Sequence, residues 1–386
     1  MGNYFGRPYF TKYHQMNSEI KSSAISNRFK SYLTVKNVYK GGRSITATEA
    51  GQKVYKLSSN EHPFGYSPKV KAALQQHLDH LHIYPDTTDA RLRAALVKDF
   101  DGHLQANQFI AAAGGSEVID LTFRAFLREG DQVITSSPCF LPYSMFSKWL
   151  GARVIDVPLR EPDYSLDVEG ILEALTPRTR IVALTSPNNP TGTYIPRAIL
   201  EYLLDRLPPD VLVIYDEVYR HFATADDYAT GVEYVNAGYP VLAVNSFSKT
   251  YGLAAMRLGY GYTTPEIASY IHQICKPFLI PALSMEAGIA ALEDHTFVQK
   301  TVDLIREERI FLSAAFERLG IEYTPSQANF FLVKPPVDDQ VFVDHLIKNG
   351  IMTRPVTNFG APGKVRISIG TREANETLVQ ALDLLG

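Results

Sequence analysis

Lys249 is the residue best placed in this chain to do covalent chemistry. It stands in Ser246-Phe247-Ser248-Lys249-Thr250-Tyr251-Gly252, directly after the apolar run Pro240-Val241-Leu242-Ala243-Val244. Such a run reads as a buried strand, so the chain delivers an amine to a sheet edge among small hydroxyls. A lysine drawn out of water loses basicity and can form an imine with an aldehyde. On these residues alone a surface lysine in a loop fits equally well, but other strand ends tip the balance. Val211-Leu212-Val213-Ile214-Tyr215 ends in Asp216-Glu217-Val218-Tyr219, and a carboxylate at the end of so apolar a strand needs a cation. Ile181-Val182-Ala183-Leu184 runs into Thr185-Ser186-Pro187-Asn188-Asn189-Pro190-Thr191-Gly192, and Asp131-Gln132-Val133-Ile134-Thr135 runs toward Phe140. A short strand over 109–113 meets Gly114-Gly115-Ser116-Glu117 at the start of a helix, the arrangement that leaves amide groups free for a phosphate.

These pieces fit one ligand. Lys249 meets an aldehyde, and Asp216 pairs with a protonated ring nitrogen. Asn189 and Tyr219 hydrogen-bond a phenolate oxygen, and Phe140 stacks on a heteroaromatic face. Gly115, Ser116, Ser246, Ser248 and Arg257 hold a phosphate through amides, hydroxyls and a guanidinium fork. A molecule with those four features is pyridoxal 5'-phosphate, and a lysine Schiff base with an acidic partner for the pyridinium is the pattern of its enzymes.

The elements that must position these groups alternate. Strands at 109–113, 131–135, 152–157, 181–184, 211–215 and 240–244 are interleaved with helices at 116–127, 168–174 and 199–204. This predicts an α/β large domain with a mostly parallel, doubly wound sheet. Ligands in such sheets bind at the carboxyl ends of the strands, and every residue named above falls there. Ser67-Pro68 predicts a helix start, with Ser as N-cap and Pro at the first position. From Met285 the pattern changes to a helix at 298–319, strands at 329–333 and 365–369, and helices at 340–349 and 373–385. This predicts a smaller α+β C-terminal domain. The expected division is an arm over 1–38, a segment at 39–70 packing on the small domain and the site, a large domain at 71–280 and a small domain at 281–386.

Bulk properties narrow the partners. The net charge is −3 and no basic cluster stands out, which argues against nucleic acid. No apolar run is long enough to span a bilayer, and the first 29 residues lack the apolar core of a secretory signal. Cys139 and Cys275 are the two cysteines, a count that suits a reducing, cytoplasmic setting. His77, His80 and His82 have no carboxylate or cysteine support and read as solvated, so no metal site is expected. No G-x-G-x-x-G opens a helix after a strand, which argues against a dinucleotide-binding enzyme.

In order and spacing, Ser-Pro-Asn-Asn-Pro-Thr-Gly (186–192), Tyr-Asp-Glu-Val-Tyr (215–219) and Ser-Phe-Ser-Lys…Arg (246–257) resemble the motifs of the fold-type I, class I and II aminotransferases. The resemblance runs from about Tyr39 to the C-terminus. Within that superfamily the chain is most similar to the histidinol-phosphate aminotransferases, through Ser-Asn-Glu-His-Pro-Phe-Gly-Tyr-Ser-Pro (59–68), Tyr84-Pro85-Asp86 and Val-Arg-Ile-Ser-Ile-Gly-Thr (365–371). The resemblance implies a transaminase with Lys249 as the catalytic Schiff-base lysine and Asp216 at the pyridine nitrogen. It places Asn189 and Tyr219 at the ring oxygen, and Gly115-Ser116-Glu117, Ser246, Ser248 and Arg257 at the phosphate. It implies a homodimer in which Tyr84 reaches the cofactor phosphate of the neighbouring subunit. Arg366 would take the substrate carboxylate, with Asn60 and Tyr39 lining the substrate side. The expected partners are a small amino donor and a 2-oxo acid, 2-oxoglutarate by analogy. Aromatic or other amino-acid aminotransferases, and decarboxylases of phospho-amino acids, keep similar motifs. Two departures lie near the substrate side: His62 replaces the second asparagine of Asn-Glu-Asn-Pro, and Tyr39-Lys40-Gly41-Gly42 replaces Tyr-x-Pro-Gly.

Overall fold

A computed structural model describes Lys30, Tyr32, Gly51 and residues 53–385. The chain divides into Met1–Lys40 and Gly41–Gly386, and the strands and α-helices of the described residues all lie in the second unit. Tyr39, expected on the substrate side, and the segment 39–50 lie outside the described residues, as does nearly all of the expected arm.

Strand β1 (Tyr55–Lys56) leads into a loop that ends at helix α1 (Pro68–His77). That helix starts as the sequence predicts: the Ser67 hydroxyl accepts from Lys69 N and Pro68 takes the first turn, where a missing N–H costs nothing. Helix α2 (Ala90–Asp99) and strand β2 (Phe109–Ala112) follow. Gly114, at φ 96°, turns β2 into α3 (Gly115–Phe126). Alternation then continues through β3 (Gln132–Thr135), α4 (Pro142–Trp149), β4 (Arg153–Asp156), α5 (Val168–Glu173), β5 (Thr179–Thr185), α6 (Arg197–Leu204), β6 (Leu212–Asp216), α7 (Gly231–Asn236) and β7 (Val241–Ser246). Strand β8 (Gly259–Tyr262) and helix α8 (Pro265–Gln273) complete this part.

The seven strands form one sheet in the order β2-β8-β7-β6-β5-β3-β4. Pairs β3–β4, β3–β5, β5–β6 and β6–β7 are parallel, while β8 runs antiparallel to both β2 and β7. Alternate residues feed two separate cores. Ile134, Val182, Val213 and Ala243 belong to one, and Val133, Ile181, Leu212 and Leu242 to the other. Both faces are therefore covered, which is why these strands read as unbroken apolar runs. Strand β8, Gly-Tyr-Gly-Tyr, gives no such signal. Its Gly259 is dictated by packing: a Cβ there would lie 2.4 Å from Gly115 N, so only glycine lets this strand support the turn beneath α3.

Helix α9 (Ala282–Leu292) contributes Met285, Ala287 and Leu292 to the same core as Val70 of α1 and Leu92 of α2. The 24-residue helix α10 (His295–Arg318) leads into β9 (Glu322–Thr324), β10 (Phe330–Lys334), α11 (Asp339–Lys348), β11 (Ile351–Met352), β12 (Arg354–Pro355), β13 (Val365–Ser368) and α12 (Arg372–Asp383). A four-stranded antiparallel sheet, β12-β13-β10-β9, packs its Phe331, Val365 and Ile367 with Phe316, Phe342 and Leu378 of the helices. Strand β1 pairs in parallel with β11. The loop after β1 is thereby tied to β11 at one end and to α1 at the other. We call residues 58–65 the strap.

Candidate active site

The carboxyl ends of β5, β6 and β7 converge with the strap and β13. Asp216, the last residue of β6, is 3% exposed. Its Oδ2 accepts from the Tyr143 hydroxyl at 2.7 Å and its Oδ1 from Val218 N at 3.3 Å. Burial pushes its pKa up to about 6, against the pull of those two donors. At about 1.4 kcal/mol per unit, ionising it there costs about 3 kcal/mol more than in an ordinary aspartate. A cation against this carboxylate would recover that energy, so the site is built for a positively charged partner such as a pyridinium nitrogen.

Lys249 lies just beyond the end of β7. Its part-buried Nζ donates to the carbonyls of Ser59 at 3.3 Å and Asn60 at 3.2 Å, and it lies 5.7 Å from the centre of the Tyr219 ring. Burial lowers its pKa to about 7, helped by the positive charges of Arg366 and Arg257 and opposed by Glu61 and Asp216. A substantial fraction of this amine is therefore neutral near pH 7, the state a nucleophile and a proton acceptor both need.

Arg366 of β13 is 5% exposed. Its guanidinium donates to Asn189 Oδ1 at 2.5 Å and to the Ser58 carbonyl at 2.9 Å. Asn60, at φ 53°, is held on all sides. Its N–H donates to Ser368 Oγ at 2.8 Å, its amide nitrogen to the Tyr219 hydroxyl at 3.0 Å, and its Oδ1 accepts from Ser368 Oγ at 3.0 Å. The left-handed backbone of Asn60, tolerable for asparagine, turns its carbonyl to Lys249 and its amide to Tyr219. Thus Lys249, Tyr219, Asn60, Asn189 and Arg366 form one connected group, with Asp216 at the neighbouring strand end.

The residues expected to hold a phosphate lie near one another. No side chain caps the N-terminus of α3 at Gly114. A Cβ on Gly114 would lie 2.6 Å from Arg257 Nη2, so the glycine makes room for that guanidinium. Arg257, itself left-handed at φ 47°, lies 3.5 Å from Ser248 Oγ, and Ser246 Oγ accepts from Ser248 N at 3.1 Å. Amides, hydroxyls and a guanidinium therefore face one space, and the residues present fit a phosphorylated, pyridine-bearing aldehyde. Ser116 and Glu117 lie in the first turn of α3, and Glu117 pairs with Arg124 at 3.8 Å. Phe140 packs edge-on against Tyr143, with ring centres 5.7 Å apart. Tyr84 stands apart from these contacts: it is 80% exposed and stacks on Phe278 at 4.8 Å. Among the described residues, no three of His, Cys, Asp or Glu gather as a metal site would require, and no helix is long and apolar enough to cross a membrane.

Five further residues contribute that the sequence did not single out as site residues. Tyr143, fully buried on α4, links Asp216 to Thr185, whose Oγ1 is 2.8 Å away. Its hydroxyl shares the buried face of α4 with that of Ser147, so nothing along the chain marks it as a partner of Asp216. Ser368 holds Asn60 and is visible only as the residue two beyond Arg366 on the same face of β13. The Ser58 and Ser59 carbonyls carry no side-chain signal at all. Arg354 is directly opposite Arg366 in the β12–β13 register, and both guanidinium groups approach the Phe359 ring, at 5.9 and 5.7 Å. Two cations therefore share one edge of the site. His62, expected near the substrate side, packs its ring on Phe297 of α10 at 5.3 Å.

Comparison with known proteins agrees with this geometry. The family model for aminotransferase class I and II matches residues 52–382. A histidinol-phosphate aminotransferase of Moorella thermoacetica is 38% identical over 330 residues, covering 85% of this chain and 84% of its own. That of Akkermansia muciniphila is 38% identical over 349 residues, covering 89% and 94%. Among solved structures, histidinol-phosphate aminotransferase from Sinorhizobium meliloti in complex with pyridoxal-5'-phosphate superposes with a TM-score of 0.81 at 25% identity, covering 93% of this chain and 98% of its own. Aspartate aminotransferase from Thermus thermophilus with maleate gives 0.75 at 26%, covering 86% and 91%. With a buried lysine and a buried carboxylate at neighbouring strand ends, and with these matches over most of its length, the chain belongs to the class I and II aminotransferases, the transaminases that work with pyridoxal phosphate on small amino and oxo substrates.

Proposed function

We propose that this transaminase moves an amino group from a phosphate-bearing amine of the histidinol phosphate type to 2-oxoglutarate, in two half-reactions that use one site in turn. The observation that carries this reading is the pair Arg354 and Arg366, in register on neighbouring strands. Guanidinium forks suit phosphate and carboxylate alike, and two of them on one edge match a donor with a dianionic group and an acceptor with two carboxylates. The names of the relatives from Moorella and Akkermansia support the same donor.

Pyridoxal phosphate, when bound, supplies the aldehyde that takes up the amino group and a ring that withdraws electrons from the substrate Cα. The chain's own groups do the rest. Gly115, Ser116, Glu117, Ser246, Ser248 and Arg257 hold the phosphate. Asp216, oriented by Tyr143, holds a proton at the ring nitrogen. Asn189 and Tyr219 direct hydrogen bonds to the ring oxygen, and Phe140 covers the ring face. Lys249 Nζ, a substantial fraction of it neutral near pH 7, takes the proton from the substrate Cα and later returns one. Arg366 orients the anionic end of each substrate, with Asn60 fixing the wall beside it. The exposed Tyr84, with Leu81 and Ile83 exposed beside it in sequence, supports a homodimer in which Tyr84 enters the neighbouring site. The division at residues 70 and 280, and a cytoplasmic setting, are part of the same reading.

The test is a donor panel with 2-oxoglutarate as acceptor. L-Histidinol phosphate should give the highest kcat/KM, ahead of phenylalanine, tyrosine and aspartate. A preference for phenylalanine or tyrosine, or release of carbon dioxide from a phospho-amino acid, would overturn the donor assignment.

A further inference from the structure

The strap delivers four polar contacts to the site. Ser58 gives its carbonyl to Arg366, Ser59 and Asn60 give theirs to Lys249, and the Asn60 amide reaches Tyr219. Its first residues are secured by sheet contacts: Leu57 N donates to Met352 O, and Ser368 N to Leu57 O. What secures its far end is His62. Phe64 N donates to His62 Nδ1 at 3.1 Å, so Nδ1 carries the lone pair and Nε2 the proton. Nε2, 2.9 Å from Thr301 Oγ1, donates to it, and that hydroxyl donates in turn to Phe297 O at 2.9 Å. The ring also stacks on Phe297, with planes 19° apart. Every polar atom of the imidazole is thus used, half within the strap and half across to α10. Beyond His62 the strap passes so close to the lysine loop that a Cβ on Gly252 would lie 2.0 Å from Gly65 O. Slack at residue 62 would therefore be felt at both ends of the segment facing Lys249.

We propose that His62 is a positioning residue for the transamination: it clasps the strap to α10 and so holds the Ser59 and Asn60 carbonyls at Lys249. This assigns a role to the one residue by which the strap departs from the family's Asn-Glu-Asn-Pro. It rests on Lys249 being the reactive amine, and is independent of which donor the enzyme prefers.

His62→Asn keeps an acceptor for Phe64 N but is too short to reach Thr301, whereas His62→Gln restores a donor at the Nε2 position. In the holoenzyme, His62→Asn should lower kcat about tenfold, as expected for a small misplacement of reacting groups, with KM changing less than kcat. Thr301→Val should do the same, and the double variant should be no worse than either single one, because both break one link. His62→Gln should recover most of the loss. A second readout needs neither substrate nor cofactor: the pH midpoint for modification of Lys249 by an amine-selective reagent, followed by peptide mass spectrometry. Water entering beside a loosened strap should move that midpoint upward in His62→Asn and Thr301→Val. The proposal is overturned if the two losses add, if His62→Gln is as impaired as His62→Asn, or if melting temperature falls while kcat and the Lys249 midpoint stay at the parent values. An incorrect donor assignment would leave the Lys249 midpoint and the double-variant cycle untouched.

Discussion

The two halves of the proposed site, one assigned to the cofactor and one to the substrate, are built by opposite means. The cofactor half stands on the ends of adjacent parallel strands, where Thr185 is paired with Asp216 and Asp216 with Val244, two residues before Ser246. Each of its side chains belongs to the strand, or the turn, that precedes it. The substrate half is made of pieces far apart in the chain: Ser58 and Asn60 meet Arg366 and Ser368 across 308 residues, through one left-handed asparagine and three backbone carbonyls. A rigid sheet edge fixes a constant ligand, while a strap tied to a second sheet can be retuned for different substrates without disturbing the first half.

Damage to the cofactor half should abolish chemistry, and damage to the substrate half should redistribute it. The largest effect is expected for Lys249→Ala, which removes both the amine and the proton carrier. Turnover should fall by roughly 10^4-fold or more while the protein still folds, as circular dichroism and steady-state kinetics would show. Retained multiple turnover at the parent rate would put the reactive amine elsewhere. Asp216→Ala comes next. With no anion for the ring nitrogen, kcat should drop roughly 10^2- to 10^3-fold and pyridoxal phosphate should bind more weakly in equilibrium titration.

On the substrate side, Arg366→Gln should raise KM for every carboxylate or phosphate substrate by roughly 10- to 100-fold, the value of a charge-assisted hydrogen bond. Arg354→Gln should penalise a phosphate-bearing donor more than a neutral one, read as a ratio of kcat/KM values. Equal penalties on all donors would erase the proposed division of labour. Tyr143→Phe probes the cofactor half more gently. Asp216 keeps its place but loses a hydroxyl donor, so kcat should fall about tenfold with KM little changed.

A last effect falls on stability against pH rather than on turnover. Lys249 has its basicity lowered to about 7 by burial, so between roughly pH 7 and its ordinary value of 10.5 the unfolded chain binds more protons than the folded one. Stability of the cofactor-free protein should therefore rise with pH across that window, because the penalty for a buried ammonium disappears. Lys249→Met should flatten the rise in denaturant titrations at pH 7 and pH 10. The same slope in parent and variant would show that the lysine is not desolvated.

What could be read in the sequence follows the same division. Lys249, Asp216 and Asn189 were legible because unbroken apolar strands announce their own ends, and chemistry at the carboxyl edge then has a known address. Helix α1 was legible because Ser67 and Pro68 mark its start. Strand β8 was not, since its Gly259 answers to the backbone of Gly114 and Gly115 and its Gly261 to Val118 and the Ala243 carbonyl, contacts invisible along the chain. Arg366 could be named by its motif, yet that Asn189 and Ser58 hold it, and that Arg354 lies opposite, depends on strand register. The roles of the Ser59 and Asn60 carbonyls have no side-chain signature and emerge only from the fold.

The central claim is that Lys249 is the amine that joins the cofactor. Borohydride reduction of the protein loaded with pyridoxal phosphate, followed by proteolysis and mass mapping, tests it most directly. A single stable pyridoxyl adduct is expected, on the peptide containing Lys249 and at that residue. An adduct on another lysine, or none from a protein that shows transaminase activity, would contradict it.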